Sequence, residues 1–114
     1  MKKVLLVEDD RFMHEWLSDK LNGKVELISA FSIEEAEQQF AANPDIAAIV
    51  MDACVPGNRP TTPPLVRKFR ETFTGPMIAA STISAYKQML IGAGCDHECE
   101  KENVPAKVLQ VLGL

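Results

Sequence analysis

Val4-Leu-Leu-Val-Glu-Asp-Asp10 is an unbroken run of four apolar residues that ends in three consecutive carboxylates. A strand with one wet face alternates apolar and polar residues, whereas a continuous apolar run suits a strand covered on both faces. Comparable runs recur at Val25 to Ser29, Ile46 to Met51 and Met77 to Ala80, each followed by a segment with helical spacing. Alternation of doubly buried strands with helices predicts an α/β domain: a parallel sheet between two helix layers, built from five β-α units.

Local signals place the helices. The first is expected to start near Asp10 as N-cap, to put Met13, Trp16, Leu17 and Leu21 on one face, and to stop at Asn22-Gly23. His14 is expected at the surface. Ser32 and Glu35 form a capping box for the second helix, in which Ile33, Ala36 and Phe40 repeat at helical spacing before Asn43-Pro44. From Asp52 to Leu65 the residues Pro56, Gly57, Pro60, Pro63 and Pro64 require a loop. Thr62-Pro63 reads as N-cap and first position of a third helix that aligns Leu65 or Val66 with Phe69 and Phe73, and Gly75-Pro76 ends it. A fourth helix is expected from Ser84, burying Tyr86, Met89, Leu90 and Ala93 and closing at Gly94. Cys95 to Lys101 then supplies the last strand, polar enough for a sheet edge. The final helix is expected from about Asn103, with Val104, Val108 and Leu112 inward.

The 114 residues, 46% hydrophobic and 25% charged, fit one folded domain over 1–114 and exclude a disordered chain. Twelve Lys and Arg against 16 Asp and Glu give a net charge of −4, so no direct nucleic-acid binding is expected. No apolar stretch approaches the roughly 20 residues that span a bilayer, and Val4 to Val7 is too short for a secretion signal. Three cysteines cannot all pair within one chain, which suits a reducing compartment, and a cytoplasmic location is expected. Cys95, His97 and Cys99 alternate and on a strand would share one face, as soft ligands of a zinc ion would. No fourth ligand is evident, and buried thiols are the preferred reading.

In open parallel α/β sheets the working groups gather at the carboxyl ends of the strands. The residues just after the apolar runs are Glu8, Asp9, Asp52, Ser81 and Lys101, with Thr82 as the fallback hydroxyl. Converging carboxylates repel one another unless a cation neutralises them, and an all-oxygen set suits a hard ion such as Mg2+. Magnesium leaves positions open to a phosphoryl oxygen, and Lys101 and Ser81 supply the charge and the donor that the other phosphoryl oxygens need.

These residues stand in four segments: Val4 to Asp10, Ile49-Val-Met-Asp-Ala-Cys-Val-Pro-Gly57, Pro76-Met-Ile-Ala-Ala-Ser81, and Gly94 followed seven residues later by Lys101. In their order and separation the chain resembles, over essentially its whole length, the receiver domain of bacterial two-component response regulators. The resemblance implies a flavodoxin-like, doubly wound five-stranded parallel sheet of order 2-1-3-4-5 with five helices, two on one face and three on the other. It implies that Asp52 is the phosphoacceptor, taking a phosphoryl group from a phosphohistidine of a histidine kinase or histidine phosphotransfer protein. It further implies that Asp9, Asp52 and the backbone carbonyl of Cys54 bind Mg2+, with Glu8 acting through a metal-bound water. Lys101 would pair with the phosphoryl oxygens, and Ser81 would swing to hydrogen-bond them, repositioning the loop before the fourth helix. Such a protein is a signalling phosphoacceptor, not an enzyme in the ordinary sense.

Departures from the family pattern concern output. Glu98 stands three residues before the lysine, where an aromatic ring is usual, so the usual coupling to the last strand is in question. Glu102 replaces the proline that normally follows the lysine, so no cis peptide is expected there. Pro60 replaces the glycine usual eight residues after the phosphoacceptor, and Thr61-Thr62-Pro63-Pro64 lengthens that loop. Phosphatases of the haloacid dehalogenase type also use an aspartyl nucleophile and Mg2+, but they carry a second Asp where this chain has Cys54. The residues are also compatible with a phosphorylation-independent interaction module of the same fold, or with a receiver cut from a longer regulator.

Overall fold

Adjacent residues of the first strand, β1 (Lys3–Val7), face opposite ways: Leu5 and Val7 join one buried cluster, Val4 and Leu6 the other. That division explains the continuous apolar run, because a parallel strand packed on both sides has no wet face. The computed structural model describes residues 1–114. After β1 come α1 (Arg11–Lys20), β2 (Glu26–Ala30), α2 (Ile33–Ala42), β3 (Ile46–Asp52), α3 (Pro63–Arg70), β4 (Met77–Ala80), α4 (Ser84–Ala93), β5 (His97–Cys99) and α5 (Val104–Leu112). The five strands are parallel in the order β2-β1-β3-β4-β5, as the resemblance implies. Ala36 of α2, Leu65, Val66 and Phe69 of α3 and Leu90 of α4 cover one face. Leu17 of α1 and Val104, Val108 and Leu112 of α5 cover the other. No helix is long and apolar enough to cross a membrane.

Several local signals act as expected. Asp10 caps α1 by accepting from Phe12 N, 3.0 Å away. The Ser32 hydroxyl accepts from Glu35 N at 3.1 Å, and the Glu35 carboxylate accepts from Phe31 N at 3.0 Å. The bonds to Phe12 N and Glu35 N satisfy N–H groups that a first helical turn leaves without a partner, and the bond from Phe31 N ties the residue before the Ser32 cap to the helix. At the opposite end of the molecule, Gly94 closes α4 with φ +141°, and a Cβ there would lie 2.7 Å from Arg70 Cγ, so the turn and the close approach both require glycine.

Other expectations fail for tertiary reasons. His14 is buried, because it shares the inward stripe of α1 with Leu17 and Leu21, while Met13 and Trp16 are only half-buried at its flank. Met89 is exposed and Tyr86 and Ala93 are half-buried, because α4 lies over the edge of the sheet and buries a narrow stripe of Leu90 and Lys87. The Lys87 stem packs inward and its ammonium donates to Glu100 Oε1 at 2.7 Å. Thr62 is the N-cap of α3 and Pro63 its first residue, as the Thr-Pro pattern predicts, but the Thr62 hydroxyl makes no capping bond and turns back to the end of β3. β5 has only three residues. Cys95 precedes it and packs with the α2–α3–α4 cluster, whereas Cys99 packs with the α1–α5 cluster, so the three soft ligands do not share a face. Burial pushes the Cys95 thiol up to about 12.

Candidate functional site

Strand register brings the acidic residues together. Val7 lies opposite Met51 and Asp52 opposite Ala80, so Glu8 and Asp9 leave β1 beside Asp52, and Ser81 leaves β4 on its other side. Ala80 lies opposite Cys99, which places Lys101 just beyond the same rim. The order of the sheet therefore assembles residues that are distant in sequence at one crevice above the strand ends. The crevice has a volume of about 270 Å³ and is lined by Glu8, Asp9, Asp52, Cys54, Ser81 and Lys101, with Thr82 and Tyr86 at its margin.

Carboxylate oxygens of Glu8, Asp9 and Asp52 all lie within 4.8 Å of one another. Glu8 is the most deeply placed, only 2% exposed. Its Oε2 accepts from Asp9 N at 3.0 Å, and its Oε1 accepts from Lys101 Nζ at 2.7 Å. The same ammonium stands 3.5 Å from Asp52 Oδ1, bridging the two buried carboxylates. Asp9 is exposed, and its Oδ2 accepts from Gly57 N at 3.3 Å, which ties the β3–α3 loop over the crevice. Ser81 is buried, and its hydroxyl accepts from Ile83 N at 3.1 Å in the turn before α4. Thr82, the neighbouring hydroxyl, is exposed.

The cluster is short of positive charge. Burial, and next the hydrogen bond and charge of Glu8, push the Asp52 carboxyl up to about 7, against the opposing pull of Lys101. Burial alone would lower the Lys101 ammonium, but the hydrogen bond to Glu8 and the charges of Asp52 and Glu8 outweigh it and raise its pKa. Burial, followed by the Asp52 charge, also raises the Cys54 thiol, which disfavours a thiolate at this site. Three carboxylates gathered beside one ammonium, with the Asp52 carboxyl pushed up to about 7, fit a hard divalent cation: all-oxygen donors with a deficit of positive charge.

Sequence patterns do not single out two supporting residues. His14 Nε2 donates to the Glu8 carbonyl at 2.6 Å, while its Nδ1 lies 2.9 Å from Ser29 Oγ and its ring packs against Phe31 at 4.0 Å between centroids. It holds the main chain that carries Glu8 and Asp9. A signal exists, since His14, Leu17 and Leu21 recur at intervals of three and four, but an apolar count passes over histidine. Thr62 donates to the Asp52 carbonyl at 2.7 Å, and the Thr-Pro pattern that marks a helix start conceals that role. Glu98, three residues before Lys101, is exposed and accepts from Gln88 Nε2 at 3.0 Å. The cis peptide bond of the chain is Val55-Pro56.

Known structures with this architecture are numerous. A protein from Chloroflexus aurantiacus described as a putative response regulator is 26% identical, with a TM-score of 0.81 over 99% of this chain and 98% of that one. A two-component response regulator from Clostridium difficile superposes with a TM-score of 0.84 at 21% identity over 99% and 97% of the two chains. The chain has the fold of a response regulator receiver domain. The BeF3-activated receiver domain of Klebsiella pneumoniae RstA is a further match, with a TM-score of 0.81 and 20% identity over 98% and 96%. No protein-family model and no curated protein matches the sequence. Within the receiver fold, the acidic crevice lies at the carboxyl ends of β1 and β3, the position that the strand order makes available to a ligand.

Proposed function

We propose that this receiver accepts a phosphoryl group on Asp52 from the phosphohistidine of a histidine kinase or histidine phosphotransfer protein. The observation that carries the reading is the crevice itself: three carboxylates gathered within 4.8 Å, with Lys101 between Glu8 and Asp52. An Asp52 carboxylate oxygen forms the new bond to phosphorus as the bond from phosphorus to the partner's imidazole nitrogen breaks. The electron pair stays on that nitrogen. Catalysis in such a transfer is mainly positioning and charge stabilisation.

Asp9, Asp52 and the Cys54 carbonyl would hold Mg2+, with Glu8 acting through a water. When bound, the ion supplies the positive charge that lets Asp52 ionise and that screens the incoming phosphoryl oxygens. Lys101 holds its proton and offers an ammonium to one of those oxygens. Ser81 donates to another once its hydroxyl leaves the turn before α4, and that movement alters the partner-binding surface. The protein signals or relays and turns over no external substrate beyond its own phosphorylation and dephosphorylation.

Incubation with acetyl phosphate or phosphoramidate and Mg2+, read by intact mass, tests the assignment. One added phosphoryl group is expected in the wild type and none in Asp52→Ala; an unchanged wild-type mass refutes it. The exposed Glu98 favours a second reading, a module that binds its partner whether or not it is phosphorylated. Capture of the partner with and without beryllofluoride separates the two: equal capture supports the constitutive module.

A further inference from the structure

After Asp52 pairs with Ala80, the chain leaves the sheet and no ladder orders residues 53 to 60. A loop that carries site groups needs another source of order, and two adjacent threonines provide it. Thr61 N and Thr62 N both donate to the Ala53 carbonyl, at 2.8 and 3.2 Å. Thr61 Oγ1 accepts from Val55 N at 3.0 Å and donates to the Val55 carbonyl at 2.9 Å. Thr62 Oγ1 donates to the Asp52 carbonyl at 2.7 Å, with a longer contact to Ala53 O at 3.2 Å. Thr62 is completely buried.

Of the four successive carbonyls from 52 to 55, those of Asp52, Ala53 and Val55 therefore accept from the threonines. The carbonyl of Cys54, a residue that lines the acidic crevice, accepts no hydrogen bond from the protein. A main-chain oxygen left without a donor inside an ordered turn is an oxygen available to a ligand. The same bonds pin the main chain of Asp52 from the loop side, as Ala80 pins it from the sheet side.

We propose that Thr61 and Thr62 are positioning residues that hold the Asp52 carboxylate and leave the Cys54 carbonyl free for a divalent cation. This rests on the reading of the crevice as a Mg2+-dependent phosphoacceptor site. The threonines touch neither ion nor phosphoryl group; they act through the main chain of residues 52 to 55. Hydrogen bonds one step removed from a metal orient its ligands, and their loss typically costs about 10–100-fold in affinity.

The test is a Mg2+ titration followed by the amide NMR shifts of Asp9 and Ala53, in the wild type, Thr62→Val, Thr62→Ser, Thr61→Val and Leu112→Ala. Valine preserves shape and removes the hydroxyl, serine restores the hydroxyl, and Leu112→Ala lowers stability on the far face of the sheet. A Kd for Mg2+ raised about tenfold or more in folded Thr62→Val, with Thr62→Ser and Leu112→Ala near the wild type, is the expected result. Wild-type affinity in folded Thr62→Val overturns the inference. So does an equal loss in Leu112→Ala, which would make the effect one of stability alone. Should Thr62→Val not fold, Thr61→Val carries the comparison with the same expectation, and wild-type affinity there overturns it. A wild-type protein that takes up no Mg2+ defeats both the inference and the functional reading beneath it, whereas a wild type that binds and is phosphorylated isolates the threonines as the point of failure.

Discussion

The two ends of the sheet solve the same electrostatic problem in opposite ways. At the amino end, one guanidinium meets an excess of acceptors and satisfies them: Arg70 donates to the carbonyls of Gly94, Gly75 and Phe73 and pairs with Asp96, whose Oδ1 also accepts from Met77 N. At the same end of the sheet Lys3 is held by Asn43 and Asp45. At the carboxyl end, one ammonium faces three carboxylates and cannot neutralise them, and Asp52 is driven up to about 7. One end is finished by the chain itself, and the other is left short of a cation. The difference separates a clamp that the chain completes by itself from a crevice whose charge stays unbalanced, which is what the phosphoacceptor reading proposed above requires.

Among single substitutions the largest expected effect lies at the amino end. Arg70→Met leaves three carbonyls without their donor and removes the charge partner of Asp96, and about 3 kcal/mol of stability should be lost, read by urea denaturation. Mg2+ affinity should survive in the folded fraction. A loss below about 1 kcal/mol would show that the clamp is ornamental and would break the contrast.

A pH titration sharpens the contrast from the other side. The folded protein holds a proton on Asp52 that the unfolded chain releases near pH 4, so the folded state binds more protons between about pH 4 and 7. Without divalent ions, stability should therefore be fullest below about pH 4 as far as this group is concerned. It should fall as pH rises through about 7, by at most about 1.4 kcal/mol per pH unit. Asp52→Asn should flatten this part of the profile, and Mg2+ should oppose the loss by binding the ionised form. A slope that persists in Asp52→Asn would assign it to another group.

A smaller loss is expected from His14→Phe, which keeps a ring against Phe31 but strands the Glu8 carbonyl: about 1–3 kcal/mol by thermal or urea unfolding. Its effect should also reach Mg2+ affinity, unlike that of Arg70→Met. The smallest effect belongs to Glu37→Gln, which breaks only the exposed pair with Lys68 at 3.2 Å and should change stability by less than about 0.5 kcal/mol.

Sequence alone determined the first four strands, the capping box of Ser32 and Glu35, and the set Glu8, Asp9, Asp52, Ser81 and Lys101 beyond the strand ends. Those features depend on apolar periodicity and on hydrogen bonds between residues close in the chain, which neighbours in sequence suffice to specify. Tertiary structure alone decided that His14 would hold the Glu8 carbonyl, that Thr62 would turn from α3 to the end of β3, and that Lys87 rather than Met89 would be buried. It also divided Cys95 from Cys99 between the two faces of the sheet. A hydroxyl, an imidazole or a long amphipathic stem can satisfy itself with several partners, and only the packing of distant elements selects among them.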